Sequence, residues 1–400
     1  MMFDRSEIIV GLEIGTSKVC AVVGEVPPGE GLEVIGLGQA PTAGAVRKGE
    51  IIDAELAEDA VRAALNEAEQ QADIEIGSVY LGVTGAHIKG FNNRGVHPIA
   101  SVGREIEEAD VNHVVRGAQP QLQPDEEVLH TVRQHFRVDG QDDVQQPVGR
   151  IASRLEVDVH VVYGQRTRIQ NPVRVVKGLG IDVEDVAFNG RVAALPLLTS
   201  QLGEQGALII DLGAGTTEYT VYLGGSMCHT GVLAVGGEHV TNDLAVGVKL
   251  SQTRAERLKL EYGSAVPDPR VAHREVNFAS DVGLDDKQVN IGQIQQIIHA
   301  RLEELFQLIR TDLEQRGLLQ RINGSVLLSG GAARMPQIDL LAQQVFELDA
   351  CLPHELGKAQ EGSLIHQPEC TAAMGLVQFG ARQIRTQNGK RRGLLSWLTG

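Results

Sequence analysis

A chain of 400 residues holds enough material for two to four domains. Its 36 Lys and Arg against 52 Asp and Glu leave a net charge of −16, and aromatic residues make up 4%. An acidic surface repels phosphate backbones and so few aromatics leave little for base stacking, so nucleic acid is not an expected partner.

Hydrophobic residues at 42% and charged residues at 22% are those of an ordinary globular chain. The four cysteines, Cys20, Cys228, Cys351 and Cys370, have no metal-site spacing and read as buried thiols in a reducing cytosol. Residues 1–7 lack the basic start and apolar stretch of a secretory signal, and no run of about 18 apolar residues offers a membrane span. The 46 glycines exceed the usual share of about 7% and predict either many loops or backbone that approaches a ligand closely.

In chain order, the apolar run Ile8–Ile14, the turn Gly15-Thr16-Ser17 and the run Lys18–Val26 predict a strand-turn-strand unit. Residues 53–72 predict a helix, with Asp53 as N-cap and Leu56, Ala60, Ala64 and Ala68 in one row. Ser78–Val83 reads as a strand. Residues 85–163 are more polar, with Gln- and Pro-rich stretches and a strand over Arg154–Val162, and read as an inserted subdomain. A helix over 167–180 is expected to break at Asn171-Pro172.

The opening pattern then recurs. Ala207–Gly213 is an apolar run ending in an acid and a glycine, Ala214–Thr217 is a turn, and Glu218–Leu223 is a returning strand. Two such units predict a duplicated architecture. Gly236-Gly237 precedes a helix starting near Thr241, and Thr253–Leu260 reads as a short helix capped by Thr253. Loops and short strands fill 264–290. Gly292–Arg316 is the longest amphipathic helix, with Ile294, Ile297, Ile298, Leu302, Leu305, Leu308 and Ile309 on one face. A strand (Gly324–Ser329), a Pro-started helix (Met335–Phe346) and a final helix (Thr371–Ile384) complete the chain.

Neither GxxxxGK[ST] nor GxGxxG opening a helix occurs, and Gly36-Leu37-Gly38 reads as an isolated loop fragment. Phosphate can instead sit between two hairpin turns. The N–H groups of Gly15, Thr16, Ser17 and Lys18 would cradle one side and those of Gly213, Ala214, Gly215 and Thr216 the other, with hydroxyls of Thr16, Ser17, Thr216 and Thr217 adding donors. Glu13 and Asp211 would hold Mg²⁺ through water, because Mg²⁺ dehydrates reluctantly. One such turn is an ordinary glycine-rich hairpin; the matched pair with a third site at Gly330-Gly331 is what points to a ligand.

Three motifs carry a resemblance: Glu13–Lys18, Asp211–Thr217 and Leu328–Pro336 resemble the two phosphate motifs and the adenosine motif of the actin/Hsp70/sugar-kinase ATPase fold. The resemblance implies an α/β chain of two lobes, each with a ribonuclease-H-like core, and ATP with Mg²⁺ in the cleft. It places Gly236, Gly237, Glu256, Lys259, Gly330, Gly331, Arg334 and Met335 around the nucleoside. Residues 85–163, with Asn93–Val96 and Leu155–His160, and the stretch 235–265 resemble the FtsA family of actin-like bacterial cell-division proteins. That family's division implies subdomain 1A at 1–84 and 164–198, 1C at 85–163, 2A at 199–245 and 321–385, 2B at 246–320, and a linker with an amphipathic helix at 386–400. The family usually has Asp where this chain has Glu13, and no residue must be a catalytic base. ATP turnover is therefore expected to be slow or absent.

In the tail, Lys390, Arg391 and Arg392 form a basic run, followed by Leu394, Leu395, Trp397 and Leu398 on one side of a helix. This is the composition of an interfacial helix on an anionic membrane, although the letters alone also fit a packed or loose end. The resemblance favours the membrane, on the cytoplasmic face at the division site. It further implies self-assembly into filaments, binding of the FtsZ C-terminal tail around Arg301 and Glu304, and recruitment of other division proteins through 1C. Two alternatives stay open on the letters: a small-molecule kinase of the same fold, and a PilM-like pilus assembly protein. An Hsp70 reading finds no length for a peptide-binding domain.

Overall fold

The computed structural model describes the backbone of residues 6–27, 32–99, 103–278, 287–356 and 367–398. Side chains are described within that set to residue 385, those of Phe278, Lys287 and Leu356 excepted.

The first lobe opens with β1 (Glu7–Ile14), β2 (Lys18–Val26) and β3 (Glu33–Pro41), then a two-residue ladder, β4 (Val46–Arg47) with β5 (Glu50–Ile51). Helix α1 (Ala54–Ala72) crosses to β6 (Ser78–Val83). The chain next leaves for β7 (Lys89–Pro98), α2 (Glu108–Gly117), β8 (Glu126–Val138), β9 (Gln141–Val144) and β10 (Arg154–Gln165). It returns through α3 (Arg166–Gly178) and β11 (Asp182–Phe188). The short helices α4 (Asn189–Val192), α5 (Ala194–Leu197) and α6 (Ser200–Gln205) lead to the second lobe. That lobe holds β12 (Ala207–Leu212), β13 (Thr217–Leu223), β14 (Ser226–Leu233), α7 (Gly237–Gly247), α8 (Gln252–Tyr262), β15 (Glu275–Phe278), β16 (Lys287–Asn290), α9 (Ile291–Gln315), β17 (Ser325–Ser329), α10 (Ile338–Phe346) and β18 (Asp349–Cys351). Helix α11 (Thr371–Leu398) ends the chain and packs back on the first lobe.

The two main sheets have one topology. The first runs β11-β6-β1-β2-β3 and the second β18-β17-β12-β13-β14. In each, the central strand pairs antiparallel with its hairpin partner and parallel with the strand that returns after a helical crossover. The duplication expected from two short motifs is thus a duplication of whole sheets. Helices cover the parallel strands, which is why β12 is buried at every position.

Strand alternation then decides where the polar residues point. On β1, Val10, Leu12 and Ile14 pack under α1 and α3, so Ile9, Gly11 and Glu13 face the other side. On β12, Leu208, Ile210 and Leu212 pack under the helices of the second lobe. Ala207 and Ile209 face the layer between the lobes, with Phe188, Ala194 and Leu197. Asp211 shares that parity. Glu13 and Asp211 are therefore turned toward each other by the same period of two that builds both cores.

The segment 85–163 forms its own antiparallel sheet, β7-β10-β8-β9, with α2 over one face. Its other face docks on β14 of the second lobe. His160 Nε2 meets Thr230 Oγ1 at 2.9 Å, His160 Nδ1 meets Asn92 Oδ1 at 2.8 Å, and Asn92 Nδ2 donates to the Cys228 carbonyl at 3.0 Å. The insertion thus leaves from one lobe and leans on the other.

Several expectations need correction. Gly36-Leu37-Gly38 is not a loop but lies in β3, where small residues let α1 approach. Helix α3 runs unbroken through Pro172. Losing that N–H costs about 3 kcal/mol, which burial of Ile169, Val173 and Val176 at about 1.5–3 kcal/mol each outweighs. Helix α7 begins at Gly237 rather than Thr241, and His239, at its third position, reaches back so that its Nδ1 accepts the Gly236 N–H at 3.1 Å, as a Glu or Gln does in a capping box. Helix α8 starts after Ser251, which puts Thr253 inside it rather than at its cap, and α10 starts at Ile338, not Met335. Leu56 and Leu308 are exposed, and the buried row of α1 starts at Ala57. Backbone helix continues from Thr371 through Leu398 instead of stopping at Ile384. Cys20 and Cys370 are buried as expected, whereas Cys228 and Cys351 are half-buried. Among the described residues no helix is long and apolar enough to cross a membrane.

The approach of α1 to β3 is testable. A Cβ on Gly38 would lie 1.8 Å from the Ala64 carbonyl oxygen and 2.7 Å from the Ala68 nitrogen. Gly38→Ala should lower the unfolding free energy by about 2 kcal/mol or more in urea titration.

Candidate functional site

The two hairpins end in turns closed by the same bond. Gly15 N–H donates to the Lys18 carbonyl at 2.9 Å, and Gly213 N–H donates to the Thr216 carbonyl at 2.9 Å. The turns come into contact across the cleft: a Cβ on Gly215 would sit 2.5 Å from Thr16 Oγ1, so only glycine permits the approach. Thr16 Oγ1 in turn accepts the Gly49 N–H at 3.0 Å. Helix α7 is anchored under the second turn by Gly237 N–H to Gly213 O and Glu238 N–H to Ala214 O.

Above these turns lies a cavity of about 810 Å³. Its wall includes Gly15, Thr16, Ser17 and Lys18 from the first turn and Gly213, Ala214 and Thr216 from the second. Gly237, Glu256, Lys259, Gly330, Gly331, Arg334 and Met335 line the remainder, with Glu13 and Asp211 on the floor. Three expected residues stand behind this wall. Gly215 is the contact point between turns, Gly236 packs against the Gly213 carbonyl, and the Thr217 hydroxyl donates to the Val235 carbonyl at 2.8 Å.

Several wall residues are held in place. Lys259 Nζ reaches Glu256 at 2.7 Å, Thr241 Oγ1 at 2.9 Å and the Gly237 carbonyl at 3.2 Å. Arg334 forms a two-pronged ion pair with Glu369 at 2.7 and 2.5 Å, which joins the Gly330 loop to the start of α11. Lys18 Nζ donates to Gln39 at 3.0 Å.

The floor carries residues that the letters did not single out. Glu218 lies directly across the β12–β13 ladder from Asp211 and is buried. That pairing register was the signal available: an acid opposite an acid in a hairpin. Thr84, at the end of β6, donates to Glu218, and Asn189 Nδ2 donates to Glu13 Oε1 at 3.3 Å. Leu260, 75% exposed, and Glu369 also belong to the wall.

The electrostatics of the floor follow from burial. Burial, then the Asp211 charge, pushes the Glu13 carboxyl up to about 8, against the pull of Lys18. Burial raises Asp211 to about 6, while the Ser329 hydroxyl, 3.1 Å away, opposes the shift. Burial and Asp211 raise Glu218 well above the carboxylate range. Three carboxyls in one dry layer cannot all ionise without a cation. Their hard oxygen donors fit a divalent ion such as Mg²⁺. Among the described residues no three acidic, His or Cys side chains converge to hold a metal alone, so such an ion would complete its shell with water and ligand oxygens.

The remaining expected site residues lie elsewhere. Arg301 and Glu304 sit on α9, away from the floor. Arg301 pairs with Glu304 at 2.5 Å and also with Asp243 of α7 at 2.5 Å. The side chains of Lys390, Arg391, Arg392, Leu394, Leu395, Trp397 and Leu398 lie outside the described residues.

Two sheets of one topology, with glycine turns meeting over a shared cleft, define the actin/Hsp70-like two-lobed fold. Solved structures agree. The chain resembles the PilM-PilN type IV pilus biogenesis complex (TM-score 0.66, 18% identity, 93% of this chain and 98% of that one). It also resembles MreB5 of Spiroplasma citri bound to ADP (TM-score 0.57, 16% identity, 96% and 98%). Within that fold the family is narrower. Residues 208–375 match the model "Cell division protein FtsA", and residues 85–163 match "SHS2 domain inserted in FTSA". A cell division protein FtsA from Borreliella burgdorferi is 35% identical over 94% of this chain and 91% of its own length. The chain belongs to the FtsA family of cell division proteins.

The raised carboxyls give a pH dependence of known sign. Glu13 and Asp211 bind protons in the folded chain at pH values where the unfolded chain has released them. Their contribution to stability is therefore full below pH ~4 and is lost as pH rises through about 8. The depressed His87, His130 and His160 act in the opposite sense, but only below their ordinary value of 6.5. The ligand-free chain should lose melting temperature between pH 6.5 and 8, and Glu13→Gln should flatten that fall. A profile identical to the parent's in the variant would refute the assignment.

Proposed function

We propose that this chain is an ATP-binding, membrane-attached filament protein that tethers FtsZ at the division site. The observation that carries the nucleotide reading is the cavity between the two matched turns. Backbone N–H groups on both sides suit a polyphosphate, and the carboxyl floor suits its Mg²⁺. MreB5 of the same fold is bound to ADP. The proposed contacts are the turn residues for phosphate, Glu13 and Asp211 for Mg²⁺ through water, Glu256 and Lys259 for the ribose, and Arg334 and Met335 near adenine. Arg334 keeps its pairing with Glu369 and offers the base its guanidinium face. With Mg²⁺ bound, the ion would shield the phosphate charge; the protein's own groups orient the chain of phosphates and exclude water from it.

Attachment to the cytoplasmic face of the membrane rests on the tail. Its basic run and apolar side supply about 1 kcal/mol per cation on an anionic surface plus partial burial of four apolar side chains. One copy binds reversibly, and a filament binds firmly through effective concentration. Subdomains follow the division given above, with 2B around Arg301 and Glu304 taking the FtsZ C-terminal tail and 1C recruiting other division proteins. An acidic group on that tail would compete with Asp243 and Glu304 for Arg301. ATP then acts mainly by ordering filament contacts, with turnover slow.

Two measurements test this reading. The full chain with ATP and Mg²⁺ should pellet with anionic liposomes, and a chain ending at Asn388 should stay in solution. Arg301→Glu should weaken binding of an FtsZ C-terminal peptide at least tenfold without changing ATP affinity. Pelleting of both chains, or unchanged peptide binding, would reject the corresponding assignment.

A further inference from the structure

Behind the first turn two buried thiols meet. Cys20 of β2 is 1% exposed, and Cys370, just before α11, is 0% exposed. The two sulfurs are hydrogen-bonded to each other. Cys20 stands directly across the β2–β3 ladder from Gln39, whose Nε2 donates to Cys370 Sγ at 3.0 Å. The other atom of that amide, Oε1, accepts from Lys18 Nζ at 3.0 Å. An ammonium only donates, so the amide must face it with oxygen, and the N–H is left for the sulfur. Lys18 belongs to the first turn and lines the cavity. A chain of polar contacts therefore runs from the cleft through Gln39 to the thiol pair.

The pair also sits where the two lobes are joined. The short 3₁₀ turn Pro368–Cys370 supplies Pro368 and Glu369 to the cavity wall. It holds the Gly330 loop of the second lobe: Gly330 N–H donates to the Pro368 carbonyl at 2.8 Å, and Glu369 takes the two-pronged pair with Arg334. A bond between the sulfurs would fasten this turn to β2 of the first lobe. Hydrogen-bonded sulfurs stand farther apart than bonded ones, so forming the bond draws the two segments together. Helix α11 has no room to follow, because a Cβ on Gly11 of β1 would lie only 2.3 Å from the Ala373 carbonyl oxygen. The turn must give instead, and it carries Pro368 and Glu369 out of register with the Gly330 loop.

We propose that Cys20 and Cys370 are a redox-sensitive dithiol that hydrogen peroxide converts to a disulfide, and that this disulfide weakens nucleotide binding in the cleft. The second half rests on the nucleotide reading above. In the first step the Cys370 sulfur, as thiolate, attacks one peroxide oxygen; the O–O bond breaks, leaving a sulfenic acid, and the departing hydroxide takes up the thiol's proton as water. In the second step the Cys20 sulfur attacks the sulfenic sulfur; an S–S bond forms, and the hydroxyl leaves with the Cys20 proton as a second water. Two thiols and one peroxide thus give one disulfide and two waters, and a dithiol reductant reverses the bond by exchange. A resolving thiol already in contact makes the second step intramolecular. Cys228 and Cys351, although less buried, lie on β14 and β18 at opposite edges of the second sheet and cannot pair within one chain.

The test is peroxide treatment of the full chain, followed by peptide mapping without reductant and by titration with ATP in Mg²⁺. A peptide joined through Cys20 and Cys370 should appear while Cys228 and Cys351 can still be alkylated. ATP affinity should fall at least fivefold and return with dithiothreitol. Cys20→Ala should keep the reduced parent's affinity within twofold and lose the response to peroxide. A map without the Cys20–Cys370 link overturns the proposal, and the map on the parent chain decides this even where Cys20→Ala fails to fold. A link that leaves ATP affinity unchanged, or a peroxide response that persists in Cys20→Ala, overturns it as well. A reduced parent that binds no ATP instead overturns the nucleotide reading, and the switch falls with it even where the link forms.

Discussion

Charge in a dry layer governs this molecule. Glu13, Asp211 and Glu218 project between two sheets whose other faces are fully committed to helices. Placing them there costs several kcal/mol per ionised group unless something compensates. Lys18 acts on Glu13, yet its ammonium is already bonded to Gln39. Protons or a bound cation must balance the rest. Around this negative floor the chain arranges backbone N–H groups on two turns, which suit an anion. A floor that wants a cation beneath turns that want an anion is complementary to a metal–polyphosphate and to few other ligands.

The rest of the structure holds this arrangement in register. Each turn belongs to the central hairpin of a sheet, so a shift of either lobe would move the floor and the donors together. Contact between Gly215 and Thr16 fixes how close the turns come. The inserted sheet ties the first lobe to β14 through His160, Asn92 and Thr230. Pro368, Glu369 and Ala372 line the cavity where α11 begins, and the backbone of that helix continues to Leu398. The cleft and the chain's last helical residues therefore belong to one element.

Much of this was legible in the letters because two motifs repeat: an acid, then a glycine-containing turn, then a returning strand. The acid beside each turn singled out Glu13 and Asp211, and 3.6-residue periodicity located α1 and α9. What the letters hid was mostly relational. Glu218 reads as the polar start of a strand until its register opposite Asp211 is known. Asn189 belongs to no motif in the sequence, and only the fold brings it to the cavity wall beside Glu13. Gly36 and Gly38 read as loop because a strand that admits a helix at close range needs small residues there. Helix α7 hid its start because its cap residue is Gly236 and the reciprocal bond comes from His239 inside the helix. In each case a tertiary contact decided the outcome over local propensity.

Metal-dependent nucleotide binding in the cleft is the property on which the proposed function depends. Calorimetric titration of the full chain with ATP, in Mg²⁺ and again in EDTA, tests it. The structure predicts saturable one-to-one binding in Mg²⁺ and at least tenfold weaker binding in EDTA, because the ion that would join the carboxyl floor to the phosphates is then missing. No binding in either buffer, or equal binding in both, would contradict the claim that the buried carboxyls and the paired turns form one metal–nucleotide site.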